Sequence, residues 1–316
     1  MMRVLVTGAT GFVGPYLVQA LIDEGYEVVG LGRRARVENA GIVYRQVRNL
    51  PTTGGGWAEI MDALRPQAIV HLAAQSNVVM SWRRPANTLR DNIITSAALL
   101  EAVRDHGDVT TLIMVGSSEE YGPQGREPIT EDARLDPQNP YALSKAAMGT
   151  LTAQLLGQTS VRWYHVRPFN HFGPGQRPGF VIPDLCRQIV AVESGRAPYV
   201  SIGNTSAVRD FLPVQDVVRA YTSLLGTGAP SGSYNVASGQ GTSIAVLMNT
   251  LLELAAVRVE VREDPSRIRP SDVPVFIGSP EKLRCATGWT ARIPVSEALL
   301  ETLDWWRHRK SGGHAL

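Results

Sequence analysis

Cysteine is scarce: the 316 residues hold two, Cys186 and Cys285, far apart and in no metal-ligand spacing. That excludes a disulfide framework, and two free thiols fit a reducing compartment, so the chain reads as cytoplasmic. A surplus of charge is also missing. Lys and Arg number 31 against 29 Asp and Glu, a net charge of +2, which leaves no electrostatic footprint for nucleic acid. No stretch nears the roughly 18 uninterrupted apolar residues that suggest a membrane span. The apolar run Val4–Val6 stops at Thr7-Gly8, too short for a signal-peptide core. The six histidines (His71, His106, His165, His171, His308 and His314) show no ligand spacing, so no metal site is expected. Internal repeats and low-complexity tracts are absent.

What is present is ordinary globular material, 44% hydrophobic and 19% charged, enough to bury a large core. The first half alternates. Continuous apolar runs at Arg3–Thr7, Glu27–Leu31, Ala68–Leu72, Thr111–Gly116 and Val161–Arg167 read as strands buried on both faces. Helical periodicity fills Phe12–Asp23, Asn87–Asp105 and Pro140–Gly157. Strands and helices in alternation give an α/β fold, a doubly wound (Rossmann) parallel sheet. After Phe169 the pattern loosens. His171–Phe180 reads as a loop, Pro183–Ser194, Gln215–Leu225 and Ser243–Ala255 as helices, and Arg262–Ser279 as a polar stretch. The expected division is a dinucleotide-binding domain over 1–168, rejoined by about 207–226, and a smaller, mixed C-terminal substrate-binding domain over 169–316.

Gly8-x-x-Gly11-x-x-Gly14 follows the first strand and opens the first helix. Gly8 permits the tight turn, Gly11 lets backbone approach a pyrophosphate, and Gly14 lets helix pack against strand. Phe12 and Val13 lie inside this loop, where the helix N-terminus offers N–H groups to phosphate. The second strand runs into Gly32-Arg33-Arg34. It ends without the carboxylate that binds a ribose 2′-hydroxyl, and with two arginines for a 2′-phosphate. NADP(H) is therefore favoured over NAD(H), which stays open.

Tyr141 and Lys145 stand four apart on a helix and share a face. The ammonium is expected to lower the Tyr pKa from about 10, so that Tyr141 can give or take a proton. Ser117 lies just past the strand Thr111–Gly116, at the carboxyl end of the sheet, where open α/β sheets bind ligands. Glycine loop, serine and Tyr-Lys helix in this order resemble the extended short-chain dehydrogenase/reductase family, the nucleotide-sugar epimerases, dehydratases and reductases. The similarity covers nearly the whole chain. It includes His71-Leu72-Ala73-Ala74, Asn92, and Arg167-Pro168-Phe169-Asn170 with Gly173-Pro174-Gly175. The resemblance implies that the Ala73 and Ala74 backbone and Asn92 line the cofactor, that Pro168 and Phe169 flank the nicotinamide, and that Asn170 meets the sugar nucleotide. Family members usually carry an acidic residue after the third strand, near the adenine; here that region reads Arg48-Asn49-Leu50-Pro51.

Further stretches resemble the GDP-mannose branch: Gly116-Ser117-Ser118-Glu119-Glu120-Tyr121-Gly122, Phe169 to Gln176, Ala207 to Phe211, and Arg269 to Val273. They imply a GDP-sugar substrate touched by Ser76, Ser118, Phe180 and Val181, with Arg209 and Arg269 on its diphosphate. The implied reaction is NADPH-dependent reduction of a 4-keto sugar. A 4,6-dehydratase, in which Glu119 is a base, is the alternative, and a 4-epimerase comes third. Dehydratases of the branch generally carry Thr where this chain has Ser117, which leans toward reduction. Family members pair the helices corresponding to 87–105 and 140–157 into a four-helix dimer interface, implying a homodimer.

Overall fold

Val4, Leu5 and Val6 are wholly buried, and the strand they form lies inside a sheet covered on both faces. The computed structural model describes residues 1–33, 42–125, 128–267 and 273–309. In chain order come β1 (Arg3–Thr7), α1 (Val13–Asp23), β2 (Glu27–Gly32), β3 (Val43–Gln46), α2 (Gly54–Leu64), β4 (Ala68–His71), α3 (Val78–Arg83) and α4 (Pro85–Leu89). A π-helical turn (Arg90–Ile94) leads into α5 (Thr95–His106) and β5 (Thr111–Val115), and a 3₁₀ turn (Ser118–Tyr121) precedes α6 (Pro140–Leu156) and β6 (Arg162–Pro168). The second half holds β7 (Asn170–Phe172), α7 (Val181–Glu193), β8 (Val200–Ile202), β9 (Val208–Pro213), α8 (Val214–Thr227), β10 (Gly232–Val236) and β11 (Gly241–Ser243). It closes with α9 (Ile244–Glu253), β12 (Val261–Glu263), β13 (Val275–Phe276), α10 (Glu281–Thr287) and α11 (Val295–His308).

The main sheet has seven strands in the order β10-β6-β5-β4-β1-β2-β3, all pairs parallel. This is the doubly wound arrangement, with its switch point between β1 and β4, where the strand order reverses and ligand crevices form. Leu17, Val18 and Leu21 of α1 pack with Val217, Tyr221 and Leu224 of α8 on one face. Trp57 and Met61 of α2, Leu99, Leu100 and Val103 of α5, and Met148 of α6 cover the other. A mixed sheet is built around β9, which pairs antiparallel with β11 and parallel with β7 and β13. The helices α7, α9 and α11 bury their apolar sides in a separate cluster that includes Phe211 of β9.

The structure departs from the sequence pattern in several places. The helix expected over Asn87–Asp105 is broken: Pro85 starts α4, and the π turn inserts around buried Asn92 before α5 resumes the period. His171 and Phe172, read as loop, lie in β7. The strand β10 reads Gly-Ser-Tyr-Asn-Val, too polar at one end to signal the edge of a buried sheet. Three glycines open α2 and hide it from propensity, yet Thr53 caps it, accepting from Gly56 N at 3.3 Å.

Candidate active site

The carboxyl ends of β1, β4 and β5 carry the groups that the motifs pointed to. Gly8 has φ +70°, and a Cβ there would lie 2.9 Å from the Ala73 nitrogen, so glycine loop and Ala73–Ala74 segment meet backbone to backbone. Thr7 Oγ1 accepts from Ala73 N at 3.2 Å and lies 2.9 Å from His71 Nδ1. His71 Nε2 reaches Ser96 Oγ at 3.2 Å. Burial, with help from the Lys145 charge, pushes His71 down to about 3, so it is a neutral brace. Phe12 stacks on His171 (centroids 6.0 Å apart, 6° between planes), and Tyr16 donates to the Pro174 carbonyl at 2.7 Å. The glycine loop is thereby tied to the segment that leads into the second half of the chain.

Ser117 follows β5 in extended backbone and caps the 3₁₀ turn; its Oγ accepts from Glu119 N at 3.2 Å. Across from it, Asn139 caps α6 by accepting from Ala142 N at 2.8 Å, and Pro140 occupies the first helical position. This N-terminus starts the helix just before Tyr141 and fixes where its ring points. Ser117 lies near enough to the Tyr141 phenol to act on its ionisation. Lys145, buried one turn on, donates to the Val115 carbonyl at 2.6 Å, with Nζ 5.9 Å from the Tyr141 ring centre. Asn139 Nδ2 also donates to Glu119 at 3.2 Å. Ser117, Tyr141, Lys145 and Glu119 thus form one cluster.

Its electrostatics run against the expectation from spacing. Burial pushes Tyr141 well above the ordinary phenol value; Ser117 opposes the rise, and the Glu119 and Glu120 charges add to it. Burial pushes Lys145 down to about 8, with Glu120 opposing. The ammonium is engaged with a carbonyl, and the Glu119 and Glu120 charges disfavour a phenolate, so Tyr141 is held protonated.

Comparisons with known proteins agree with this architecture. The family described as GDP-mannose 4,6 dehydratase matches residues 5–302. GDP-6-deoxy-D-mannose reductase of Pseudomonas aeruginosa is 35% identical over 97% of this chain and 98% of its own. The chain belongs to that family, a branch of the extended short-chain dehydrogenases/reductases. A GDP-mannose 4,6-dehydratase of Sinorhizobium fredii is 27% identical over 94% of each chain. Among solved structures, RMD from Pseudomonas aeruginosa complexed with NADPH superposes with a TM-score of 0.85 at 33% identity, covering 98% of this chain and 100% of that one.

The remaining family positions are placed unevenly. Ser76 and Asn170 are exposed, Ser118 is buried, and Phe180, also exposed, precedes Val181 at the start of α7. Arg209, half-buried on β9, donates to the Val208 carbonyl at 2.9 Å. Pro168 ends β6. Arg33 is exposed at the end of β2, while Arg34 and Arg269 lie outside the described residues. Two of these positions, Asn92 and Phe169, are buried. Asn92 is wholly buried: Oδ1 accepts from Gln75 N at 2.8 Å, and Nδ2 donates to Gln75 O at 3.0 Å and Ser144 Oγ at 2.8 Å. With both ends of its amide used, it braces the segment after β4 against α6. Phe169 is also buried, packed against Tyr121 and Phe276. No role had been assigned to Thr7, Asn139, Glu120, His165 or Arg167, although Glu120 and Arg167 stand in stretches that resemble the family. Two of them carried a signal: Asn-Pro before a helix for Asn139, and Ser-x-x-Glu, a capping box, for Glu120.

Proposed function

We propose that this protein reduces the 4-keto group of GDP-4-keto-6-deoxy-D-mannose with NADPH, giving GDP-D-rhamnose. The observation that carries the reading is the cluster of Ser117, protonated Tyr141 and Lys145 at the carboxyl end of β5, beside a glycine turn built for close backbone approach. The residues fit the cofactor. A Cβ at Gly14 would strike the Ala9 carbonyl at 2.4 Å, so α1 can start this close to the turn only with glycine there, and exposed Arg33 follows β2, with Gly32 and Arg34, not a carboxylate, beside it in the sequence. Gly8, Gly11, Gly14 and the Ala73–Ala74 backbone would hold NADPH, with Arg33 and Arg34 toward its 2′-phosphate. Bound there, NADPH supplies the hydride for C4. Ser117 orients the carbonyl oxygen by hydrogen bonding. Tyr141 then gives its proton to that oxygen as charge develops, a transfer for which the raised phenol is in the right state. Lys145 keeps an ammonium nearby to receive the negative charge left on Tyr141. Arg209 and Arg269 are suited to the diphosphate.

The test mixes protein, NADPH and the 4-keto sugar nucleotide, follows loss of reduced-nicotinamide absorbance, and identifies the product by NMR. Stoichiometric oxidation with a GDP-deoxyhexose product is expected; no oxidation counts against the reading. A pH profile adds a second check. Lys145 is an ammonium below about 8 and neutral above it, so kcat/KM for reduction falls as pH rises through that value. In K145R, whose guanidinium stays charged, this limb is absent. A wild-type profile flat across that region would remove Lys145 from the mechanism.

One observation favours the dehydratase alternative: Glu119 is an exposed carboxylate beside Tyr141. Glu119→Gln decides between them. Reduction by E119Q within a few-fold of wild type fits the first reading. Conversion of GDP-mannose without added reductant, abolished in E119Q, fits the second.

The proposed assembly is a homodimer through α5 and α6. Trp82, Ile94 and Leu143 are 63, 48 and 50% exposed, and they sit on α3, the π turn and α6, with α3 and the π turn both packed against α6. Apolar exposure of this kind marks interaction surfaces. Light scattering at twice the chain mass is expected, and a monomer would reject the interface. A cytoplasmic setting goes with free Cys186 and Cys285.

A further inference from the structure

Behind Ser117 lies a carboxylate that the mechanism above does not use. Glu120 is wholly buried. Its Oε1 accepts from the Ser117 amide at 2.8 Å, and its Oε2 accepts from Arg167 Nε at 2.8 Å. His165 Nε2 lies 2.9 and 3.0 Å from the two oxygens. Burial alone would raise this carboxyl, but His165, Arg167 and the Ser117 N–H together hold it below the usual range, so it is ionised.

The surroundings are shaped to admit it. A Cβ on Gly116 would fall 2.3 Å from Glu120 Oε1 and 2.5 Å from the His165 ring. A Cβ on Gly149, one turn beyond Lys145 on α6, would fall 2.6 Å from the same ring. Two glycines on different elements therefore leave room for one buried ion pair. The segment Val115–Ser117 is gripped from two sides, since Lys145 donates to Val115 O while Glu120 accepts from Ser117 N.

We propose that Glu120 is a positioning residue for the reaction: its buried charge fixes the Val115–Ser117 segment on which both the Ser117 hydroxyl and the Lys145 ammonium depend. The charge reaches beyond its hydrogen bonds. It favours the protonated forms of both Lys145 and Tyr141, the forms that proton delivery to a carbonyl requires. Other charged or titratable groups around the site are Glu119 beside Tyr141, His71 facing Lys145 from β4, His165 and Arg167 on β6, and Tyr121 with Glu131 on the far side of Arg167.

The inference rests on the reading of Ser117 and Lys145 as reacting machinery, so its test is read without substrate. The chain has three lysines, Lys145, Lys282 and Lys310, and ¹³Cε-lysine NMR on the full-length protein follows each one. In Glu120→Gln the Lys145 midpoint is expected to fall by about one pH unit, since a nearby opposite charge has been removed, and kcat to drop at least about tenfold, as when a preorganising contact is lost. Glu120→Asp, which keeps the charge, holds the midpoint near wild type. If E120Q leaves Arg167 too poorly paired to fold, the pair E120Q with R167M removes both charges and leaves none orphaned; its Lys145 midpoint is also expected to fall. A folded Gln variant with an unmoved Lys145 midpoint overturns the proposal, even if its turnover is low, because a merely structural role would do the same. A shifted midpoint in a protein that does not reduce the keto sugar would retire the reductase reading and leave this inference standing.

Discussion

Replacing Tyr141 with Phe lowers kcat for keto-sugar reduction by about 10²–10⁴-fold, the usual contribution of a positioned proton donor, while NADPH affinity stays within a few-fold. The effect falls on turnover because the substitution is mild for the fold. Tyr141 is buried and held protonated, so removing its hydroxyl strands no charge. The ring volume is kept, and Ser117 Oγ retains its bond from Glu119 N. What disappears is the one phenol placed between Ser117 and Lys145. Steady-state kinetics and NADPH fluorescence titration separate the two quantities. A Phe variant that turns over like wild type would show that the proton comes from elsewhere, and a binding role would then displace the enzymatic one.

The same residue shows how far sequence reasoning reached. Tyr141 and Lys145 were legible because four-residue spacing on a helix is a local property. The sign of the Tyr141 shift was not, because spacing displays the ammonium and hides burial and the two carboxylates that the tertiary fold brings up. Glu120, His165 and Arg167 were given no role for a related reason. Their partners lie 45 and 47 residues apart along the chain, and only the Ser117-x-x-Glu120 cap hinted at them. The sheet itself was readable as far as its strands were apolar runs; β10 completes one edge through pairing with β6, which no local pattern announces. Asn92 is the reverse case. Its place in the helix was found by resemblance, but the π turn aims its amide at Gln75 and Ser144, and only coordinates could show that.

Gly14→Ala is expected to weaken NADPH binding by about 100-fold, equivalent to about 2.7 kcal/mol, and to destabilise the fold by about 1–3 kcal/mol, as overpacking does. The added methyl would lie 2.4 Å from Ala9 O, 2.5 Å from Ala9 C and 2.6 Å from Gly8 O. All three are backbone atoms, so no rotamer relieves the contact. Either α1 withdraws from the turn or the turn opens and strains the Gly11 N to Gly8 O bond of 2.8 Å. Both movements spoil the alignment of free N–H groups that a pyrophosphate needs. Gly55→Ala is the matched control: it lies in α2 with nothing within 4 Å of the new methyl. In a helix that exchange stabilises by up to about 1 kcal/mol. Thermal unfolding and NADPH titration of the two variants side by side distinguish a loop built around a ligand from a glycine-rich turn. If G14A binds NADPH as the wild type does, the close packing at Gly14 is not what shapes the phosphate cradle.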